Sequence, residues 1–223
     1  MIEHVYRRAS AASLVSTVLV ATDDSRIADA VDAFGGTAVM TSQDHLTGTD
    51  RLAEVAQFLQ CDIVVNVQGD EPLLDPAAVD AAIAACLNDS SVVLSTLRTP
   101  LAESDASNPN VVKVVIDLRG DALYFTRASV PYVRPGHAQA QAWRHLGLYV
   151  YRRATLCALA RLHPTPLEQA EGLEQLRALE HGFRLRTVET LAASPSVDTP
   201  ADLDRVRLLM SGMPQPASVI PHA

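Results

Sequence analysis

The sequence predicts an α/β fold: a Rossmann-like, doubly wound, mostly parallel sheet with helices on both faces and a β-hairpin-rich insertion. Three observations carry this. Apolar runs of strand length alternate with helix-period segments over residues 18–97. The run IVVNV at 63–67 is apolar on both faces, as a central parallel strand is. Two β-rich segments then flank Gly120 and break the alternation. The 223 residues suit one large domain. We expect it over 1–210, with the insertion at about 108–152 and a disordered tail at 211–223, where three prolines and no periodicity occur.

The elements follow in order. VLVAT (18–22) is a β-branched strand, and Ser25 opens a helix through Phe34 that Gly35-Gly36 ends. TAVMT (37–41) is a second strand. A helix starts near Thr49, with Leu52, Val55, Ala56 and Leu59 on one face. After 63–67, Pro76 at N1 begins a helix to Leu87, and VVLSTL (92–97) is the next strand. VVKVVID (111–117) and ALYFTR (122–127) form a hairpin, and WRHLGLYVYR (143–152) adds a strand to the excursion. Thr165-Pro166-Leu167-Glu168 is a capping box opening a helix to Gly182, and Thr199-Pro200-Ala201-Asp202 repeats that pattern.

Composition narrows function. The chain is 48% hydrophobic and 20% charged with a net charge of −8, which opposes bulk affinity for nucleic acid. No apolar run approaches bilayer length and the N-terminus has no signal-type apolar region, so a cytoplasmic protein with no membrane partner is expected. Cys61, Cys86 and Cys157 are widely spaced in apolar surroundings and read as buried inert thiols. The seven histidines show no zinc-ligand spacing.

Several segments carry chemistry. In VNVQGDEP (65–72) an apolar strand releases Gln68, Asp70 and Glu71, at the strand end where open α/β sheets bind ligands; the carboxylates suit Mg²⁺, and a plain turn is the competing reading. Thr47, Gly48, Thr49 and Arg51 at a helix start suit an anion or polar ligand, with an ordinary helix cap (Thr49 or Asp50) and a solvated Arg51 equally consistent. VATDD (20–24) reads as a helix cap. His145, Tyr149 and Tyr151 fall on one face of a strand, suiting a polyhydroxy sugar or a half-buried aromatic strand. Glu171 and Gln175 share a helix face, while Glu174 and Arg177 read as a solvated pair. Asp198 precedes the cap residue Thr199 and is free for a metal site or a turn.

VATDD, MTSQDHLTGTDRLAE, VNVQGDEP, NPNVVKVVID with GDALYFTRASVP, RHLGLYVYR, PLEQAEGLEQLR and VDTPADLDRVR, in this order to about Met210, resemble the 3-deoxy-manno-octulosonate (Kdo) cytidylyltransferases, the CMP-Kdo synthetase family. The resemblance implies Mg²⁺-dependent transfer of CMP from CTP to Kdo with release of pyrophosphate, for lipopolysaccharide biosynthesis. It implies that Asp70 and Asp198 are catalytic and hold Mg²⁺. It further implies that Thr47, Gly48, Arg51 and Gln68 line the nucleotide and sugar site, and that His145, Tyr149, Glu174 and Gln175, with Glu171, contact Kdo. A homodimer formed through the β-rich middle is implied too. The family opens with a loop of the form IPARYxSxRLPGKPL that holds the triphosphate, whereas this sequence begins MIEHVYRRA, similar to the helix after that loop, so impaired turnover is expected of it as given. A CMP-sialic acid synthetase and a non-catalytic sugar-acid-binding, dimerising remnant are the alternatives. VNVQGDEP beside RHLGLYVYR favours Kdo over sialic acid.

Overall fold

In the computed structural model, which describes residues 1–45, 47–138, 140–191 and 195–212, the chain follows the predicted α/β order. The first half contains α1 (Ile2–Ser10), β1 (Val20–Thr22), α2 (Ser25–Ala33), β2 (Ala38–Met40), α3 (Gly48–Ala56), β3 (Ile63–Asn66), α4 (Pro76–Asn88) and β4 (Leu94–Pro100). The second half contains β5 (Lys113–Ile116), β6 (Ala122–Thr126), β7 (Trp143–Arg152), α5 (Arg153–Leu159), α6 (Pro166–Glu171), α7 (Gln175–Glu180), β8 (Arg186–Glu189) and α8 (Pro200–Ser211). The expected tail begins inside α8, and residues 213–223 of it lie outside the described residues, as does Leu46 of the DHLTGT run.

The strand pairing is more mixed than the expected mostly parallel sheet. β1 and β2 pair in parallel as a separate two-stranded sheet. The larger sheet runs β6-β5-β7-β4-β8, with β3 also on β7. β7, the last strand of the predicted β-rich insertion, lies in the middle of this sheet. It runs antiparallel to β3, β4 and β5, and only β4 and β8 pair in parallel there. Its alternating apolar residues explain this: Leu148 and Val150 face one core, Tyr151 the other.

Those two cores cover the two faces. One joins Leu94, Phe125 and Tyr151 to Ala53, Leu156, Leu159 and Leu176 from α3, α5 and α7. The other joins Leu97, Leu148 and Val150 to Ala9, Val79, Ala82 and Ile83 from α1 and α4. Helices thus pack on both faces, as predicted. Burying each of these leucines or valines contributes about 1.5–3 kcal/mol.

Local signals adjust the ends of elements. Asp24, one residue before the expected Ser25, caps α2 by accepting from the Arg26 N–H. Thr47 rather than Thr49 or Asp50 caps α3. Both predicted capping boxes form, at Thr165/Glu168 and Thr199/Asp202. The helix expected to reach Gly182 instead stops at Gly172, whose φ of +61° is left-handed, and resumes as α7. That break brings Arg177 back against Glu168, at 2.5 and 2.9 Å, so Arg177 is buried and paired there rather than solvated with Glu174. Cys86 is buried as expected, but Cys61 and Cys157 are only half-buried.

Candidate active site

The site forms where one edge of β7 changes partner. Asn66 of β3 faces Tyr149, and further along the same strand Lys113 of β5 faces Arg144. On β4, Thr96 faces Tyr149 while the next residue, Leu97, faces Leu146, so Gly147 and Leu148 form a bulge. The strands fork there, and a cavity of about 260 Å³ opens, lined by Glu71, Arg144, His145, Tyr149, Gln175 and Ser196 with the Asn110–Val112 segment.

His145 is buried, and its Nε2 lies 2.9 Å from Thr96 Oγ1. That hydroxyl donates to the Leu148 carbonyl at 2.7 Å, which only accepts, so Nε2 carries the imidazole proton and Nδ1 is left as an acceptor. Burial, aided by the nearby Arg144 charge, lowers the His145 pKa to about 3 and keeps the ring neutral. Phe125, His145, Tyr149 and Tyr151 form a row of rings at centroid spacings of 4.8, 5.5 and 6.1 Å. Burial drives both tyrosine hydroxyls above their ordinary range, so they are neutral donors. His145, Tyr149 and Tyr151 thus share a face, as the spacing requires.

The Thr47–Arg51 segment sits beside this row. The Thr47 and Thr49 hydroxyls lie close to Glu174, whose pKa burial raises while these hydroxyls oppose the rise. Glu174 Oε1 is buried with no hydrogen-bond partner among the described residues. Glu174 and Gln175 also line a smaller void of about 30 Å³ with Tyr149 and Tyr151, room for about one water. Gly48 lies near the Asn66 side chain. Arg51 donates to Asp23 at 3.0 Å, to Thr41 Oγ1 at 2.5 Å and to the Ser42 carbonyl, so its first partners are protein groups. Gln68 is exposed in the loop after β3.

Asp70 and Asp198 come together although they are far apart in sequence. The Val197 N–H donates to the Asp70 carbonyl at 2.9 Å, and Ser196 Oγ donates to Asp198 at 3.0 Å. Burial raises the Asp70 pKa and the Asp198 charge raises it further. Burial, then Asp70, pushes Glu71 up to about 7, with Arg144 opposing. Such a poorly compensated group of carboxylate oxygens fits a hard divalent cation that keeps its other positions for phosphate oxygens and water. Among the described residues no group of three or more His, Cys, Asp or Glu side chains forms a site held by protein ligands alone.

Glu171 is engaged differently. Its Oε1 accepts from Thr126 Oγ1 at 2.6 Å and Tyr124 at 3.3 Å, and its Oε2 accepts from the Arg127 N–H at 2.9 Å. Burial raises its pKa, but these bonds outweigh burial and hold the carboxylate below its usual range. Of the predicted residues, His145, Tyr149 and Gln175 meet in the cavity, Glu174 lines the smaller void next to Tyr149 and Gln175, and Asp70 meets Asp198 beside the cavity-lining Glu71 and Ser196. Arg144, Asn110 and Ser196 were not picked out by sequence. Arg144 adjoins His145, but period-2 alternation assigns it to the other face; only the fork lets both line one cavity.

Carboxylates at a strand end beside a polar cavity are the arrangement in which open α/β sheets bind ligands, and the fold is one that nucleotidyltransferases of known structure share. At the level of fold, it matches 4-diphosphocytidyl-2C-methyl-D-erythritol synthase from Anaerococcus prevotii with a TM-score of 0.61, at 12% identity over 94% of this chain and 88% of that one. The cytidylyltransferase family model matches residues 1–189. A CMP:2-keto-3-deoxy-manno-octonic acid synthetase, solved with CTP, superimposes with a TM-score of 0.90 at 45% identity, covering 94% of this chain and 87% of that one. The 3-deoxy-manno-octulosonate cytidylyltransferase of Geobacter metallireducens is 54% identical over 92% of this chain and 85% of its own length. That of Myxococcus xanthus is 54% identical over 94% and 85%. The chain belongs to the 3-deoxy-manno-octulosonate cytidylyltransferase family.

Proposed function

We propose that this chain transfers CMP from CTP to Kdo, giving CMP-Kdo and pyrophosphate, for lipopolysaccharide biosynthesis in the cytoplasm. The observation that carries this reading is one cavity lined by His145, Tyr149, Gln175 and Arg144, with the Asp70–Asp198 pair next to its lining residues Glu71 and Ser196. Kdo is an acidic polyol, and each group has a matching task. Arg144 offers the sugar carboxylate a guanidinium. His145 Nδ1 accepts from a sugar hydroxyl, and the Tyr149 hydroxyl and Gln175 amide donate to others. Neutral partners suit a polyol, because they orient hydroxyls without competing for the carboxylate.

The sugar's anomeric hydroxyl attacks the α-phosphorus of CTP, and pyrophosphate leaves. Asp70 and Asp198 would hold Mg²⁺, which supplies charge neutralisation on the phosphates and acidifies the attacking hydroxyl. The protein's own contribution is position: the bulge in β7 fixes His145 relative to Tyr149, and Thr96 holds the imidazole. We also propose a homodimer through the β5–β6 region, where Leu123 is 60% and Tyr132 83% exposed.

The test is pyrophosphate release from CTP and Mg²⁺ with Kdo or sialic acid as acceptor, alongside calorimetric titration of Kdo. Kdo-dependent release supports the proposal. Release with sialic acid but not Kdo would replace it with a sialic acid synthetase. Kdo binding without release would point to a sugar-acid-binding protein.

A further inference from the structure

We infer that Arg127 is a positioning residue for the sugar: it clamps the two walls of the cavity together without lining it. This rests on the Kdo reading. One wall is the Asn110–Val112 segment; the other is Leu173 and Gln175, just after α6. Arg127 follows β6 and reaches both. Its Nη1 donates to the Pro109 carbonyl at 2.9 Å, beside the first wall, and its Nε donates to the Glu171 carbonyl at 2.8 Å, at the end of α6. Its backbone N–H donates to the Glu171 carboxylate at 2.9 Å, so Arg127 and Glu171 are joined through main chain and side chain in both directions.

A second brace runs through the same point. Lys113 is fully buried, and its Nζ donates to the Asn108 carbonyl and to the Arg127 carbonyl, each at 2.7 Å. The Asn108–Val112 segment is thereby tied to Arg127 twice, once by a guanidinium and once by an ammonium. The free end of the segment is closed on β7, where the His145 N–H donates to the Val112 carbonyl at 2.9 Å. Of these braces, the Arg127 guanidinium alone spans the two walls through side-chain donors, with Nε on the Glu171 carbonyl and Nη1 on the Pro109 carbonyl in fixed geometry. A lysine at this position carries all its donors on one terminal nitrogen and none where Nε sits, so it cannot keep both contacts in this geometry. Glu171 acts on the sugar through this clamp.

The experiment compares the unsubstituted chain with R127K and R127M, and with S129A as a control; Ser129 Oγ donates to the Ala106 carbonyl upstream, away from both walls. Amide hydrogen exchange is read first, without ligand. In R127K, exchange rises at Val111–Val112 and at Leu173–Gln175 together, and S129A leaves both unchanged. Calorimetry then gives Kdo affinity about tenfold weaker in R127K and weaker again in R127M, the loss expected for one charge-assisted hydrogen bond, with CTP affinity unchanged. Unchanged exchange at either wall in R127K overturns the clamp, and equal losses for Kdo and CTP overturn the sugar-positioning role. If R127M fails to fold, R127K alone decides. If the unsubstituted chain binds no Kdo, the functional reading fails and this inference with it, whereas Kdo binding that R127K leaves intact overturns the inference only.

Discussion

Replacing His145 with Gln removes one titrating group from the centre of the sugar cavity while keeping a donor for Thr96 Oγ1. The folded-state pKa of His145 is lowered from 6.5 to about 3, so between those values the unfolded chain binds a proton that the folded chain refuses. His145 thus leaves stability untouched above about pH 6.5, and stability falls as pH drops below it. The loss is about 2 kcal/mol at pH 5. H145Q lacks it, so the difference in unfolding free energy between the unsubstituted chain and H145Q shifts by about 2 kcal/mol between pH 8 and pH 5. Urea unfolding at stepped pH measures the slope. Long-range ¹H–¹⁵N spectra of the imidazoles give the mechanism directly: among the seven histidines, His145 shows the Nε2–H tautomer and no titration from pH 8 to pH 5. A His145 midpoint near 6.5, or the Nδ1–H tautomer, would refute both the burial argument and the assignment of Nδ1 as the sugar acceptor.

Asp70→Asn removes one of two carboxylates proposed for Mg²⁺, and turnover falls at least about 100-fold with circular dichroism unchanged; a near-normal rate would sink the metal assignment. Glu168→Gln leaves buried Arg177 without its counter-charge and costs about 3–5 kcal/mol, seen as a drop of about 10 °C in melting temperature, whereas a shift under about 2 °C would show the pair to be dispensable. Tyr149→Phe deletes a neutral donor in the cavity and raises KM for Kdo about tenfold with KM for CTP unchanged; equal changes in both would make Tyr149 a packing residue.

How much of this was legible in sequence depends on range. The face shared by His145, Tyr149 and Tyr151 follows from strand period alone, and both proline-led capping boxes follow from four adjacent residues. The junction of Asp70 with Asp198 was not readable from spacing; only the resemblance of whole motifs pointed to it, because long-range docking through Val197 brings them together. β7 was read as part of an excursion because nothing local says which edges a strand will use. Arg177 was assigned to Glu174 by helical spacing, and the left-handed Gly172 broke the helix that the spacing assumed. The solvated reading of Arg51 fails because its partner Asp23 lies across the β1–α3 contact. Each miss is a side chain whose partner is supplied by another element.

The bulge at Gly147 and Leu148 bears on how this site tolerates insertions and deletions. Side chains alternate along a strand, so loss of a single residue between His145 and Tyr149 inverts one relative to the other and turns the imidazole out of the cavity. Loss of the pair keeps parity and only shortens the reach. Across descendants of this gene, length changes at that point should therefore come in twos, and odd changes should be found only in chains that have surrendered the sugar.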